Sequence, residues 1–349
     1  MKLKLHTYQL QLAHKWKIAG GQGSKMNEVV VVELTDGDGV VGLGEAAPAA
    51  TYKETPAAVL EFYRRLDATP FSFDDIPGSM ARLETFAPVP SAARCGINTA
   101  LVDGAAKRAG KAIYDYYNLG FRENHHVTSF TIGLDTPEVI RQKVHAAARY
   151  PVLKLKTGDP RDRENLAAVR AVAPKTPIRA DANEGWKTKE HAMEMLEWLA
   201  ADGNIQFVEQ PLPRTASRED FVWLKERSPL PLFGDESCHS IKDIPFCAEC
   251  FHGVNVKLVK TGGLSMACDT LQAARKAGLK TMLGCMVETS VLISAAAHLA
   301  ELTDFLDVDG NLLITNDPYL GATAEGGILS FANAPKPDGL RVALRQTAR

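Results

Sequence analysis

From residue 127 onward the chain repeats one rhythm: a short apolar run, a polar turn, then an amphipathic stretch. Strand candidates fall at 127–133, 152–157, 177–182, 205–209, 231–235, 253–258, 280–285 and 304–309. Helix candidates lie between them at 136–150, 162–173, 188–202, 217–228, 240–250, 264–278 and 290–302. Apolar strands alternating with helical patterns imply βα units on a parallel sheet. Side-chain caps mark helix starts at Thr136 before Pro137-Glu138, Thr188 before Glu190 and Ser217 before Asp220. Eight consecutive units of similar length favour closure into an α/β TIM barrel of the (β/α)8 type, modified to (β/α)7β by loss or reduction of the last helix. An open doubly wound sheet is the alternative.

The N-terminal part reads differently. Residues 2–12 form a strand pattern, and 28–34 and 40–45 form a hairpin joined by Thr35-Asp36-Gly37-Asp38-Gly39. Helical patterns follow at 53–67 and 91–118, so this region is a small α+β domain. Ala19-Gly20-Gly21-Gln22-Gly23-Ser24-Lys25 is glycine-rich, but no lysine-serine pair or helix follows, as a phosphate cradle requires. It reads as a mobile loop. The tail from about 320, with Gly326-Gly327 and Pro335-Lys336-Pro337, is not another barrel unit. The expected organisation is a capping domain over 1–122, a barrel over 123–319, and a segment over 320–349 returning to the cap.

Bulk properties set limits. A chain of 349 residues can hold one large α/β domain and a smaller one. A net charge of −2 gives no electrostatic reason to expect nucleic acid or a membrane surface. No apolar run approaches the ~18 residues of a membrane span, and the start lacks the apolar core of a signal peptide. A cytoplasmic protein is expected. Cys247 and Cys250 form a C-x-x-C without a second pair, and read as helix residues.

Residues at the carboxyl ends of barrel strands converge on one mouth. Asp181, Glu209 and Asp235 close three successive strand candidates, 28 (209 − 181) and 26 (235 − 209) residues apart, about one βα unit each. Taken singly, each could cap a helix or pair with a base. In register they form an all-oxygen set suited to Mg²⁺, one ion per subunit. Val152-Leu153-Lys154-Leu155-Lys156 alternates, so both lysines share a face; alone it could be a solvated edge strand. Lys257 ends the sixth strand, about half a circuit from Lys156. Two amines flanking a metal-held substrate suggest proton removal on one side and delivery on the other, a racemisation or epimerisation. A lysine base needs its pKa of about 10.4 lowered, and Lys154 beside Lys156 together with the metal would act in that direction.

These residues resemble the enolase superfamily, specifically its muconate-lactonising subgroup with paired lysine bases. The matching pieces are Lys154-Leu155-Lys156, Asp181-Ala182-Asn183, Val208-Glu209-Gln210-Pro211, Asp235-Glu236-Ser237, and Val254-Asn255-Val256-Lys257 with Lys260-Thr261-Gly262-Gly263. Residues 28–45 and 91–118 look like its capping domain, and Gly284-Cys285-Met286 like its seventh strand end. The resemblance implies Mg²⁺ on Asp181, Glu209 and Asp235, acid/base roles for Lys156 and Lys257, and a tuning role for Lys154. It also implies an enediolate stabilised by the metal. Asp307-Val308-Asp309 resembles the pair with which dipeptide epimerases hold the substrate's α-ammonium, although Asp309-Gly310 also reads as a turn. The implied reaction is 1,1-proton transfer at the Cα of a dipeptide's C-terminal residue. Ala-Glu epimerases carry an arginine in the early capping loop; here only Ser24 and Lys25 are at hand, so a small or hydrophobic C-terminal residue is as well supported as glutamate. A muconate cycloisomerase or o-succinylbenzoate synthase would use the same metal and lysines. A Schiff-base aldolase and a non-catalytic barrel are the remaining classes. Relatives commonly self-associate, which implies a homo-oligomer.

Overall fold

The computed structural model describes residues 1–19 and 23–346. Gly20, Gly21 and Gln22, the centre of the loop read as mobile, lie outside the described residues. The cap is an antiparallel sheet in the order β1 (Lys2–Trp16), β2 (Ser24–Thr35), β3 (Val41–Ala46). Ser24 and Lys25 therefore open a strand rather than close a loop. Being central, β2 is covered by helices, and Val29 to Val32 are all fully buried. Three helices pack on this sheet: α1 (Pro56–Arg65), α2 (Ile76–Glu84) and α3 (Ser91–Arg108).

Two helical features differ from expectation. α2 was not anticipated, because Ile76-Pro77-Gly78 reads as a turn; Asp75 caps it by accepting from the Gly78 amide at 2.9 Å. The single pattern over 91–118 is two helices. Gly110, at φ +63°, turns the chain after α3, and α4 (Ile113–Tyr116) is a separate turn.

The barrel strands are β4 (Phe130–Ile132), β5 (Leu153–Lys156), β6 (Ile178–Asp181), β7 (Ile205–Glu209), β8 (Leu232–Gly234), β9 (Gly253–Lys257), β10 (Lys280–Gly284) and β11 (Phe305–Asp307). They are parallel and neighbour one another in chain order. Thr128 bridges Leu306, and the Ser129 amide donates to the Leu306 carbonyl at 3.0 Å, which joins the first strand to the last. The sheet is a closed barrel, not an open one.

Outside it run α5 (Pro137–Ala146), α6 (Asp162–Val172), α7 (Lys189–Ala200), α8 (Arg218–Arg227), α9 (Ile244–Cys250), the single turn α10 (Leu258–Thr261), α11 (Leu264–Lys276) and α12 (Ser290–Ala297). Thr136, Thr188 and Ser217 cap α5, α7 and α8 through their hydroxyls, as the sequence implied. Cys247 and Cys250 are buried positions of α9. Among the described residues β11 is followed only by a 3₁₀ turn, Gly310–Leu312, before the tail. The fold is thus a (β/α)7β barrel with an α+β cap.

The tail divides its contacts. Thr128 donates to the Gly327 carbonyl and Leu329 to that of His126, at the amino end of β4, whereas Leu340 donates to Asp103 of α3 at 2.7 Å. Among the described residues no helix is long and apolar enough to cross a membrane.

Candidate active site

Strand register sets two rows of side chains at the carboxyl end of the barrel. Lys156, Asp181 and Glu209 are paired across β5, β6 and β7. Lys257, Gly284 and Asp307 are paired across β9, β10 and β11. Asp235 follows β8 and completes the first group. Its amide and that of Ser237 donate to Gln210 Oε1 at 3.0 and 3.1 Å, so the Glu209-Gln210 strand end fixes the next loop. The backbone is strained here: Asn183, Glu184 and Gln210 have φ of +41°, +63° and +36°. Non-glycine residues in the left-handed region concentrate at functional sites.

Asp181, Glu209 and Asp235 are fully buried, and one oxygen of each lies within 4.8 Å of the others. Lysines surround them. Lys154 Nζ lies 3.0 Å from Asp181, 2.8 Å from Glu209 and 2.7 Å from Asp307. Lys156 donates to Asp181 Oδ2 at 2.6 Å and Lys257 to Asp235 Oδ2 at 2.7 Å. Burial opposes ionisation of Asp181, but Lys154 and Lys156 outweigh it and hold the carboxyl at about 2. Burial and the Asp181 charge push Glu209 up to about 8. Three buried carboxylates so close repel one another, and a hard dication is the partner that relieves them. The donor set fits a divalent ion.

One electrostatic expectation is reversed. Burial lowers Lys154 and Lys257, yet carboxylates prevail: Asp181, Asp307 and Glu209 hold Lys154 well above its usual range, and Asp235 does the same for Lys257. The sequence shows Lys154 beside Lys156 but not the acids that both face.

A cavity of about 420 Å³ lies over this floor, between barrel and cap. Lys154, Lys156, Lys257, Asp307 and Asp309 all line it. Asp307 accepts from Lys154 and from Ser129 Oγ, each at 2.7 Å, and these hydrogen bonds help hold it below the usual carboxylate range against burial. Asp309 Oδ2 accepts from the Thr131 amide at 2.7 Å; burial and the Asp307 charge push Asp309 up to about 7. Of the two early residues, Ser24 lines the cavity and Lys25 does not, since neighbours on β2 face opposite ways. Met26 shares the Ser24 face. The cap side is otherwise apolar, with Ile18, Pro48, Tyr52, Met286 and Val287, and no arginine lines the cavity among the described residues.

Several contributors were not singled out in the sequence. Asn255 donates to Glu209 Oε1 at 2.7 Å; its spacing of two from Lys257 on β9 was the available signal. Tyr52 comes from a 3₁₀ turn of the cap, its ring 5.6 Å from the Arg214 guanidinium and edge-on to His239. No local pattern signals that contact.

Residues 11–117 match the mandelate racemase/muconate lactonizing enzyme N-terminal domain, and residues 138–316 match the enolase C-terminal domain-like family. The chain is 62% identical over 344 residues to an L-Ala-D/L-amino acid epimerase of Pedosphaera parvula, covering 98% of this chain and 99% of that protein. It is 35% identical over 341 residues to an L-Ala-D/L-Glu epimerase of Bacteroides thetaiotaomicron, covering 96% and 86%. The dipeptide epimerase of Cytophaga hutchinsonii, solved with Mg and D-Ala-L-Val, matches with a TM-score of 0.90 at 25% identity, covering 99% of this chain and 95% of that one. With both domains matched and near-complete coverage at this identity, the chain belongs to the mandelate racemase/muconate lactonizing enzyme family of the enolase superfamily and is an isomerase of the racemase/epimerase class.

Proposed function

We propose that the chain is a Mg²⁺-dependent dipeptide epimerase acting at the Cα of the C-terminal residue. The observation that carries this reading is the placement of two lysines on opposite edges of the carboxylate cluster, Lys156 on Asp181 and Lys257 on Asp235, in one cavity with Asp307 and Asp309. Asp181, Glu209 and Asp235 would hold the ion, which supplies Lewis-acid stabilisation of the negative charge that gathers on the substrate carboxylate as the α-proton leaves. Lys156 and Lys257 take and return the proton from opposite faces. Their present ammonium character follows from the surrounding carboxylates, so a cation that neutralises those acids is also what frees an amine to act as base.

Asp307 and Asp309 receive the substrate's α-ammonium. A buried ammonium needs acidic partners, and these two are placed beside the lysines without belonging to the metal set. Lys154 ties Asp307 to Asp181 and Glu209 and so links the ammonium end of the cavity to the metal end. The apolar cap side favours an uncharged C-terminal side chain over glutamate. Ser24 borders that side chain as a small polar neighbour, whereas Lys25 has no direct place in the reading.

The test is proton exchange at Cα in D₂O with Ala-Leu, Ala-Phe, Ala-Ala and Ala-Glu, with and without Mg²⁺, alongside calorimetric titration of the ion. Ion-dependent exchange, strongest for the apolar dipeptides, is expected. No exchange from any dipeptide would overturn the reading; a strong preference for Ala-Glu would overturn only the substrate assignment.

A further inference from the structure

Lys260 is buried and reaches under the cluster, although it does not line the cavity. Its ammonium donates to Asp235 Oδ1 and to the Asp235 and Asn255 carbonyls at 2.6 and 2.8 Å. Asp235 is thus bracketed: Lys260 on one oxygen, Lys257 on the other. Asn255, whose carbonyl Lys260 also holds, donates through its side chain to Glu209. One ammonium therefore braces two of the three cluster carboxylates from below.

The same turn is where the cap meets the barrel. Ser91, the first residue of α3, donates its hydroxyl to the carbonyls of Val259 and Lys260 at 2.5 and 3.0 Å. Asn98 of α3 exchanges hydrogen bonds with Ser265 at 2.7 and 3.0 Å. Gly262 and Gly263 have φ of +95° and +130°, and a Cβ on either would strike Arg94 or Asn98 at 2.5 or 2.4 Å, so α3 sits where only glycine allows. The start of α3 is held in turn by Glu54, whose carboxylate accepts from the Ser91 and Ala92 amides. Glu54 lies two residues beyond Tyr52 in the cavity wall. A continuous chain of contacts leads from the cap loop through Ser91 and Lys260 to Asp235 and Lys257.

We propose that Lys260 is a positioning residue for one of the two acid/base lysines: by fixing Asp235 it aims Lys257, and the seating of the cap on Ser91 fixes Lys260. Lys156 is outside this chain, because its partner is Asp181 on β6. The consequence is an asymmetry between the two faces of the substrate carbon. This inference rests on the epimerase reading, since it assumes that the two lysines serve opposite faces.

With two bases, exchange of the α-proton in D₂O from each epimer reports the lysine on that epimer's own face. Lys260→Met removes the brace while keeping an unbranched apolar stem. It is expected to slow exchange from one epimer by at least about tenfold, and that from the other by less than about twofold, with a small change in KM, because a misplaced acid/base group loses rate more than binding. Ser91→Ala keeps Lys260 in place and is expected to produce the same asymmetry at about twofold to threefold. A merely structural role for Lys260 would slow both epimers by one factor, and that result, or no slowing of either, overturns the proposal. If Lys260→Met fails to fold, as judged by circular dichroism, the comparison is decided by Ser91→Ala, where equal slowing or no effect counts against it. Absence of exchange in the unaltered enzyme would instead sink the epimerase reading, so the two failures are distinguishable.

Discussion

The floor and the roof of the cavity are built on opposite principles. The floor is a lattice of charge: Asp181, Glu209, Asp235 and Asp307 share four buried ammoniums, Lys154, Lys156, Lys257 and Lys260, all on or beside barrel strand ends. The roof is mostly apolar and comes largely from cap segments, with Ile18, Met26, Pro48 and Tyr52 facing down. Each floor charge has several partners and cannot move alone, because an unpaired buried ion is costly. Roof side chains touch through surface and can be exchanged at modest cost. The difference assigns chemistry to the barrel and substrate choice to the cap.

The contrast breaks most sharply at the lysines. Lys156→Ala and Lys257→Ala should each reduce epimerisation by about 10³-fold, the scale of a lost acid/base group. A two-base mechanism further requires that each variant still exchange deuterium into one epimer. Loss of exchange from both epimers in both variants would mean that the lysines do not serve separate faces. Next in size is the ammonium end. Asp307→Asn with Asp309→Asn should lower kcat/KM for free dipeptides by about 10²-fold, since each charge-assisted hydrogen bond is worth roughly 1.5–3 kcal/mol. An N-acylated amino acid has no ammonium and should be nearly indifferent to the double change. So should a cycloisomerase or o-succinylbenzoate synthase reaction; if turnover of either kind survived while dipeptide turnover was absent in the parent enzyme, the lyase reading would replace the epimerase one.

The floor was legible in the sequence and the roof was not. Asp181, Glu209, Asp235 and Lys257 each close an apolar run, and the run lengths already imply where a parallel barrel sends its strand ends. The direction of the lysine pKa shifts was lost, because it depends on acids from five other positions that no local pattern aligns. The roof depends on register. With β2 starting at Ser24 rather than Glu28, alternation places Ser24 and Met26 over the cavity and turns Lys25 away. α2 was hidden because Pro77 and Gly78, turn residues elsewhere, stand at a helix start, where proline is well tolerated. Tyr52 was invisible because its place is set by Arg214 and His239, more than 150 residues away in the chain.

Acid should separate floor from roof in the same enzyme. Asp309 titrates at about 7, raised by burial and by the charge of Asp307. It is therefore neutral below and ionised above that pH, and only the ionised form pairs fully with an ammonium. For a free dipeptide kcat/KM should rise through pH 7 and fall about tenfold per unit below it, as a single required ionisation of the free enzyme dictates. Asp309→Asn should flatten that limb and lower the plateau. Roof variants should leave the limb where it is. A limb that persists unchanged in Asp309→Asn would assign it to another group, with Glu236, also held at about 7 by burial and the charge of Asp235, next in line.

The smallest effects belong to the roof, and they test whether the cap alone chooses the side chain. Met26 is half exposed, shares the Ser24 face and lines the cavity, so Met26→Arg would place a guanidinium where the sequence lacks one. A carboxylate reached by such a fork gains a charge-assisted pair, while an apolar side chain loses a neighbour. The kcat/KM ratio of Ala-Glu to Ala-Leu should then rise by about tenfold, roughly 1.4 kcal/mol of discrimination, with the exchange mechanism unchanged. Lys25→Ala, one position along, should move the same ratio by less than about twofold, because strand alternation turns that ammonium away from the substrate. If Lys25→Ala lowered the Ala-Glu rate as much as Met26→Arg raised it, the register of β2 over the cavity would have to shift by one residue when substrate binds, and the roof would be a moving part rather than a fixed mould.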